Sequence, residues 1–260
     1  MNETYKVQVQ DLVDDLKAVF THAGLGGEAG EYKLLTQSFL YKFLNDKFLY
    51  QAKCLDEVNT YEHLLTLSED DYDWLLEDIG TSTAWLKPDQ LIETLHRQQN
   101  EATFYESFEN TLNQISIDNN DIFSVHTDGD TAIRLFDERL ITDTISDSSK
   151  RNEVAKAIIN LLARVKFDET IFSQGFDFFS TLFEYMIKDY NKDGGGKYAE
   201  YYTPHSVAKI IADILVGDDK PQNVRIYDPS AGSGTLLMNL ASRIGVDKTT
   251  VYSQDISQKS

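Results

Sequence analysis

A single cysteine, Cys54, in 260 residues leaves nothing from which to build a disulfide framework or a zinc site of paired cysteines. Proline is scarce at 4 residues and glycine ordinary at 14, which excludes collagen-like and low-complexity chains. No apolar run approaches the ~20 residues that a membrane-spanning helix needs. The first residues, MNETYKVQVQDLVDD, are acidic where a secretion signal is basic. The reading is therefore a cytoplasmic protein with no membrane partner and no metal site. Positive charge is the other deficit, since 24 Lys and Arg face 43 Asp and Glu for a formal net charge of −19. Taken alone, this argues against nucleic acid, a polyanion held mainly by Lys and Arg. What is present, 41% apolar and 12% aromatic residues, is enough for one large domain or two small ones.

The charge is unevenly spread. Residues 1–150 hold 11 Lys and Arg against 29 Asp and Glu, whereas residues 151–260 hold 13 against 14. Such an asymmetry suggests two units with different partners. The acidic part reads as helical. Leu12, Val13, Leu16, Val19 and Phe20 recur at helical spacing before Gly24, a C-terminal stop. Leu34, Leu35, Phe39, Leu40, Phe43, Leu44, Phe48 and Leu49 form a broad stripe, which predicts a helix packed on several sides. Ser68 with Asp71 three residues on resembles a capping box, and Gly80 closes that helix. Pro88 predicts the first turn of a helix over 88–99, and a further amphipathic run covers 104–115. The aromatic stripes read as core and not as a base-stacking platform.

Residues 119–150 are rich in Asp, Ser, Thr and Asn and read as the loosest stretch, part loop and part short helix. An apolar helix returns over 153–167, and an aromatic one over 176–193 leads into Gly194-Gly195-Gly196, where a helix cannot continue cheaply. Beyond the glycines, HSVAKIIADILV reads as a helix, NVRIYDPSAGSGTLL as a strand, glycine-rich turn and helix, and TTVYSQDIS as a second strand. That is a β-α-β unit, which binds ligands at the carboxyl ends of its strands.

The turn, Asp228-Pro229-Ser230-Ala231-Gly232-Ser233-Gly234, is not a dinucleotide fingerprint, because Leu237 stands where the third glycine would be. Nor does it carry the Gly-Lys-Ser/Thr of a phosphate loop. It leaves an acidic residue at a strand end and a Gly-x-Gly turn through which backbone can approach a ligand. Asp228 offers an acceptor to a ligand amine, and the N–H groups of the following helix suit an anionic group. Asp255 ends the second strand about twenty residues on, the position from which a carboxylate accepts ribose hydroxyls. A ligand that joins an amino acid to a nucleoside is S-adenosyl-L-methionine.

DPSAGSGTLL resembles motif I of the amino-group DNA methyltransferases. GKYAEYYTPHSVAKII is similar to the segment ahead of it in the modification subunit of type I restriction-modification systems, as FSTLFEYMIKDY is to that family's Tyr/Phe-Glu-Tyr helix. The resemblance is specific over residues 176–260. It implies an α-helical N-terminal domain (1–170) followed by the start of an α/β, Rossmann-like S-adenosylmethionine-dependent methyltransferase domain (171–260), in the γ order of adenine-modifying enzymes. It also implies that Glu200, Tyr201, Tyr202, Thr203 and Pro204 cover the methionine end of the cofactor. Asp228, Ser230, Gly232, Ser233 and Gly234 would hold the methionine, and Asp255 the ribose. The partners implied are adenine in DNA, a specificity subunit, a restriction subunit and a second modification subunit.

The family's Asn-Pro-Pro-Tyr/Phe element, which receives the flipped adenine, occurs nowhere in the chain. No catalytic residue is therefore assigned. The chain reads as the N-terminal part of a longer subunit, inactive by itself in methyl transfer. A stand-alone type IIG-like adenine methyltransferase fragment and a non-catalytic assembly module are the alternatives, and a dinucleotide oxidoreductase fits the glycine spacing poorly. His205 is read as a surface residue, and Lys192 and Lys197 as parts of a solvated loop.

Overall fold

The computed structural model of the chain describes residues 3–26, 29–55, 61–81, 83–123, 125–126, 132–173, 203–219 and 221–255. It divides into two compact units, Met1–Gln174 and Gly175–Ser260.

The first unit is helical: α1 (Glu3–Ala23), α2 (Ala29–Cys54), α3 (Tyr61–Leu64), α4 (Glu69–Ile79), α5 (Ile92–Gln98), α6 (Phe104–Asp118), α7 (Asn120–Phe123), α8 (Leu140–Thr144), α9 (Arg151–Arg164) and α10 (Glu169–Ser173). The stripe on α1 is buried through Leu12, Val13, Leu16 and Phe20. Gly24, at φ +99°, ends the helix. Its N–H donates to the Thr21 carbonyl and that of Leu25 to Phe20, so two orphan carbonyls of the last turn are satisfied. α2 buries Leu34, Leu35, Phe39, Tyr41, Leu44 and Phe48, on more than one side as its broad stripe predicts. Ser68 caps α4 by accepting from the Asp71 N–H at 3.2 Å.

Two expectations for this unit are corrected. The helix expected over 88–99 is interrupted. Pro88–Gln90 form a 3-10 turn, Leu91 is extended at ψ 144°, and α5 starts only at Ile92. Two side chains, one distant in sequence and one local, take over the backbone here. The Ile92 N–H donates to Asn45 Oδ1 at 2.9 Å, and the Lys87 N–H donates to Gln90 Oε1 at 2.8 Å. Fully buried Leu91 gives the break its packing. The second correction concerns 119–150, where an antiparallel pair, β1 (Val125–His126) with β2 (Ala132–Ile133), accompanies α7 and α8. Two-residue strands are too short to show an alternating pattern.

Tyr41 sits at the centre of this core, its ring edge-on to Phe108 at 6.2 Å and to Phe136 at 6.5 Å, its hydroxyl donating to the Gln90 carbonyl at 2.6 Å. Tyr72 donates likewise to the Leu86 carbonyl. Burial, with Asp89 adding to it, raises the pKa of both phenols above the ordinary 10. At high pH the unfolded chain loses protons that these folded tyrosines keep, so stability falls as pH rises. Lys42, lowered by burial from 10.5, works in the opposite sense only below that value. The unfolding midpoint of the first unit should therefore drop between about pH 10.5 and 12. Both tryptophans, Trp74 and Trp85, lie in this unit, so denaturant titrations followed by tryptophan fluorescence read it directly. A midpoint that holds steady over that range would count against the burial of these phenols.

In the second unit, α11 (His205–Val216) precedes β3 (Val224–Asp228), α12 (Thr235–Ile244) and β4 (Thr249–Ser253). β3 and β4 pair in parallel, Asp228 opposite Ser253. The β-α-β reading of these residues is borne out. Ile226, Leu237 and Ala241 form the buried centre, with Val224, Leu240 and Ile244 around it. α11 lies along α12 with Ala208 and Ala212 buried, small side chains that allow a close helix approach. The helix read over 176–193, the three glycines, Lys192 and Lys197 lie outside the described residues.

Candidate functional site

The parallel register places the ends of β3 and β4 at one sheet edge. Asp228 is the last residue of β3, and Asp255 lies two residues past β4, so both carboxylates belong to that edge. The turn between β3 and α12 is tied to the chain after β4 by three hydrogen bonds. The Gln254 N–H donates to the Asp228 carbonyl at 3.0 Å, the Ala231 N–H to the Gln254 carbonyl at 3.0 Å, and the Gly232 N–H to Asp255 Oδ2 at 2.8 Å. Asp255 therefore already holds the glycine turn. The sequence does not reveal this second task, because it depends on a bond across 23 positions.

Gly232 and Gly234 both have positive φ, +54° and +70°. Gly234 is left-handed at the N-terminus of α12, where no side chain among the described residues caps the helix. The opening N–H groups of α12 thus remain to meet an anionic group. Among the described residues no atom lies within 4 Å of the position a Cβ would take on Gly234, so open space adjoins the glycine there. Half-buried Asp228 accepts from the Ser230 N–H through Oδ1 at 2.9 Å, while its Oδ2 has no partner among the described residues. Ser233 and Thr235 share a hydroxyl–hydroxyl bond of 2.8 Å across the same turn.

Thr203 and Pro204 lead into α11, and the Pro204 carbonyl accepts from the Val207 and Ala208 N–H groups. Glu200, Tyr201 and Tyr202, the rest of that candidate element, lie outside the described residues. His205 is half-buried, and Asn239 of α12 donates to its Nδ1 at 3.1 Å. The surface reading is corrected: a helix-opening histidine here faces a neighbouring helix. Asn239 itself escaped the sequence reading, although its place one turn after Thr235, on the α12 surface that meets α11, was the available signal. No group of three or more His, Cys, Asp or Glu suited to a metal occurs among the described residues, and no described helix is long and apolar enough to cross a membrane.

The family model for N-6 DNA Methylase matches residues 174–260. The methylase subunit of the type I restriction enzyme MpnII of Mycoplasma pneumoniae is 24% identical over 264 residues, covering 96% of this chain and 47% of that protein. The MjaIX methylase subunit of Methanocaldococcus jannaschii is 26% identical over 138 residues, 48% of this chain and 24% of that one. In fold, the chain is similar to the crystal structure of the type I restriction-modification system methyltransferase subunit from Streptococcus thermophilus. The TM-score is 0.65 at 21% identity, over 98% of this chain and 53% of that one. The resemblance carried by residues 176–260 is borne out by these matches. The chain spans about half the length, or less, of the curated relatives named here.

Proposed function

We propose that this chain is the N-terminal part of a type I modification subunit, and that residues 171–260 open a Rossmann-like domain that binds S-adenosylmethionine for transfer of its methyl group to the exocyclic N6 of adenine in DNA. The observation that carries the reading is the strand-end turn: two positive-φ glycines, with Asp228 and Asp255 at the same sheet edge. These residues fit the cofactor. The open space beside Gly234 and the uncapped start of α12 suit its methionine carboxylate, and Asp228 Oδ2 suits its ammonium. A pyrophosphate would set two further charges against those carboxylates.

Bound S-adenosylmethionine supplies an activated methyl group on a sulfonium centre. The chain's own part is to bind and orient: Asp228, Ser230, Gly232, Ser233 and Gly234 hold the amino-acid end, Glu200 to Pro204 cover it, and Asp255 accepts from the ribose hydroxyls. Orientation then does much of the catalysis. An acceptor pocket for adenine needs the Asn-Pro-Pro-Tyr/Phe element, which is not among these 260 residues. Grip on DNA comes from partner subunits, because positive charge is short here. The acidic residues 1–170 form a separate helical domain that docks another subunit, a role in which their excess of carboxylates meets a basic partner.

Asp255→Asn tests the site with the turn left intact. The amide keeps an oxygen for the Gly232 N–H but presents a donor where a ribose hydroxyl needs an acceptor. Hydrogen bonds to charged groups contribute about 1.5–3 kcal/mol. Calorimetry should thus show S-adenosylmethionine binding weakened roughly ten- to hundredfold. Unchanged affinity would remove Asp255 from the ribose role.

A further inference from the structure

Two described stretches of the candidate site, 203–204 and 228–234, are separated in sequence by more than twenty residues and lead into different helices. Thr203 and Pro204 stand at the N-terminus of α11, and the glycine turn stands at the N-terminus of α12. A chain of hydrogen bonds joins the two helix starts. Ser233 and Thr235 share a hydroxyl bond at 2.8 Å. The Thr235 carbonyl accepts from Asn239 Nδ2 at 2.8 Å, and the same amide nitrogen donates to His205 Nδ1 at 3.1 Å. His205 follows Pro204 directly. Thr235 is buried, and Asn239 and His205 are half-buried, so the path is partly screened from water.

The chemistry fixes the roles. Asn239 uses one amide hydrogen on the Thr235 carbonyl and the other on His205. The reversed amide would set its carbonyl oxygen against the Thr235 carbonyl, two acceptors facing each other. His205 Nδ1 must then be bare, with the ring proton on Nε2. At the far end the same helix pair carries a separate clamp: Arg243 donates to Asp213 at 2.8 Å and to the Gly217 carbonyl at 2.6 Å, on exposed surface. The helix pair thus has one tie at the site and one away from it.

We propose that His205 and Asn239 are positioning residues, whose hydrogen bond holds the Thr203-Pro204 element in register with the glycine turn so that both close on the same ligand. This rests on the S-adenosylmethionine reading of the site. Neither residue touches the ligand; each acts through the backbone next to it.

The test is calorimetric titration of the 260-residue chain and its variants with S-adenosylmethionine, with thermal unfolding recorded in parallel. His205→Ala and Asn239→Ala should each weaken binding about tenfold, the size of one hydrogen bond acting through geometry. His205→Asn, whose Oδ1 falls near the place of Nδ1, should recover most of that loss. Asp213→Asn, which loosens the distant clamp, should leave affinity unchanged whatever it does to the unfolding temperature. Nitrogen NMR of the ring should show the Nε2–H tautomer of His205. Failure of the wild-type chain to bind would overturn the functional reading, and this inference with it. Binding by the wild type with equal affinity in His205→Ala and Asn239→Ala, no recovery in His205→Asn, or an Asp213→Asn loss as large as theirs would overturn the positioning role alone. An Nδ1–H tautomer would do the same.

Discussion

Replacement of Asp46 by alanine is expected to destabilise the first unit by about 3–5 kcal/mol, the cost of stripping the partner from a buried charge. Asp46 lies on α2 with its side chain 7% exposed, and its ion-pair partner Lys42 is 3% exposed at 2.9 Å. Three donors converge on this carboxylate. Lys42 Nζ and Asn45 Nδ2 reach Oδ1 at 3.0 and 2.8 Å, and the Phe167 N–H reaches Oδ2 at 2.7 Å. The last bond spans 121 positions and ties the segment after α9 to α2. Alanine would leave an ammonium, an amide and a backbone N–H without this partner, in a place water cannot reach. Lys42→Met combined with Asp46→Leu should recover part of the loss, because no ammonium is then buried without its counter-charge, while the Asn45 amide and the Phe167 N–H still lose this acceptor. Tryptophan fluorescence in a denaturant titration distinguishes the outcomes. If the single variant unfolds within about 1 kcal/mol of the wild type, the buried network is not holding this unit together.

The second large effect is expected at Gly234. A β-branched residue at φ +70° meets the steric cost of the left-handed region, about 1–2 kcal/mol, so Gly234→Val should still fold. Among the described residues no atom lies within 4 Å of the Cβ position, so the first added carbon has open space around it. The added atoms would occupy the space proposed for the methionine end of the ligand. S-adenosylmethionine affinity should therefore fall about a hundredfold or more, well beyond what the backbone strain explains. Gly24→Val is the control: Gly24 also has positive φ, at +99°, with open space beside it, but ends α1 in the first unit. Comparable strain with no loss of affinity there, against loss at Gly234, separates ligand exclusion from backbone cost. Equal affinity of the Gly234 variant and the wild type would place the ligand elsewhere.

How legible each part was depends on the range of the interactions that decide it. Ser68 and Gly24 were readable because a cap and a left-handed stop are settled within a few residues. The break at Leu91 was not, since Asn45 accepts the Ile92 N–H from 47 positions away and competes with helical propensity that alone favours 88–99. The β3–turn–α12–β4 unit was readable nearly to the residue, because an apolar strand, paired glycines and an amphipathic helix each announce themselves locally. Within it, the dual engagement of Asp255 and the pairing of His205 with Asn239 were hidden, for both join residues on different elements. The overall charge misled most when read as one number. It sets a limit on residues 1–150, and says little about the nearly neutral remainder, where the candidate site lies.

The central claim, that the turn between β3 and α12 with Asp228 and Asp255 holds an amino-acid nucleoside, is tested most directly by calorimetric titration of the 260-residue chain with S-adenosylmethionine and, separately, with NAD. The account predicts saturable binding of S-adenosylmethionine at one site per chain and none of NAD. Binding of NAD in preference, or of neither compound, would contradict it, and the second outcome would favour an assembly role for the chain.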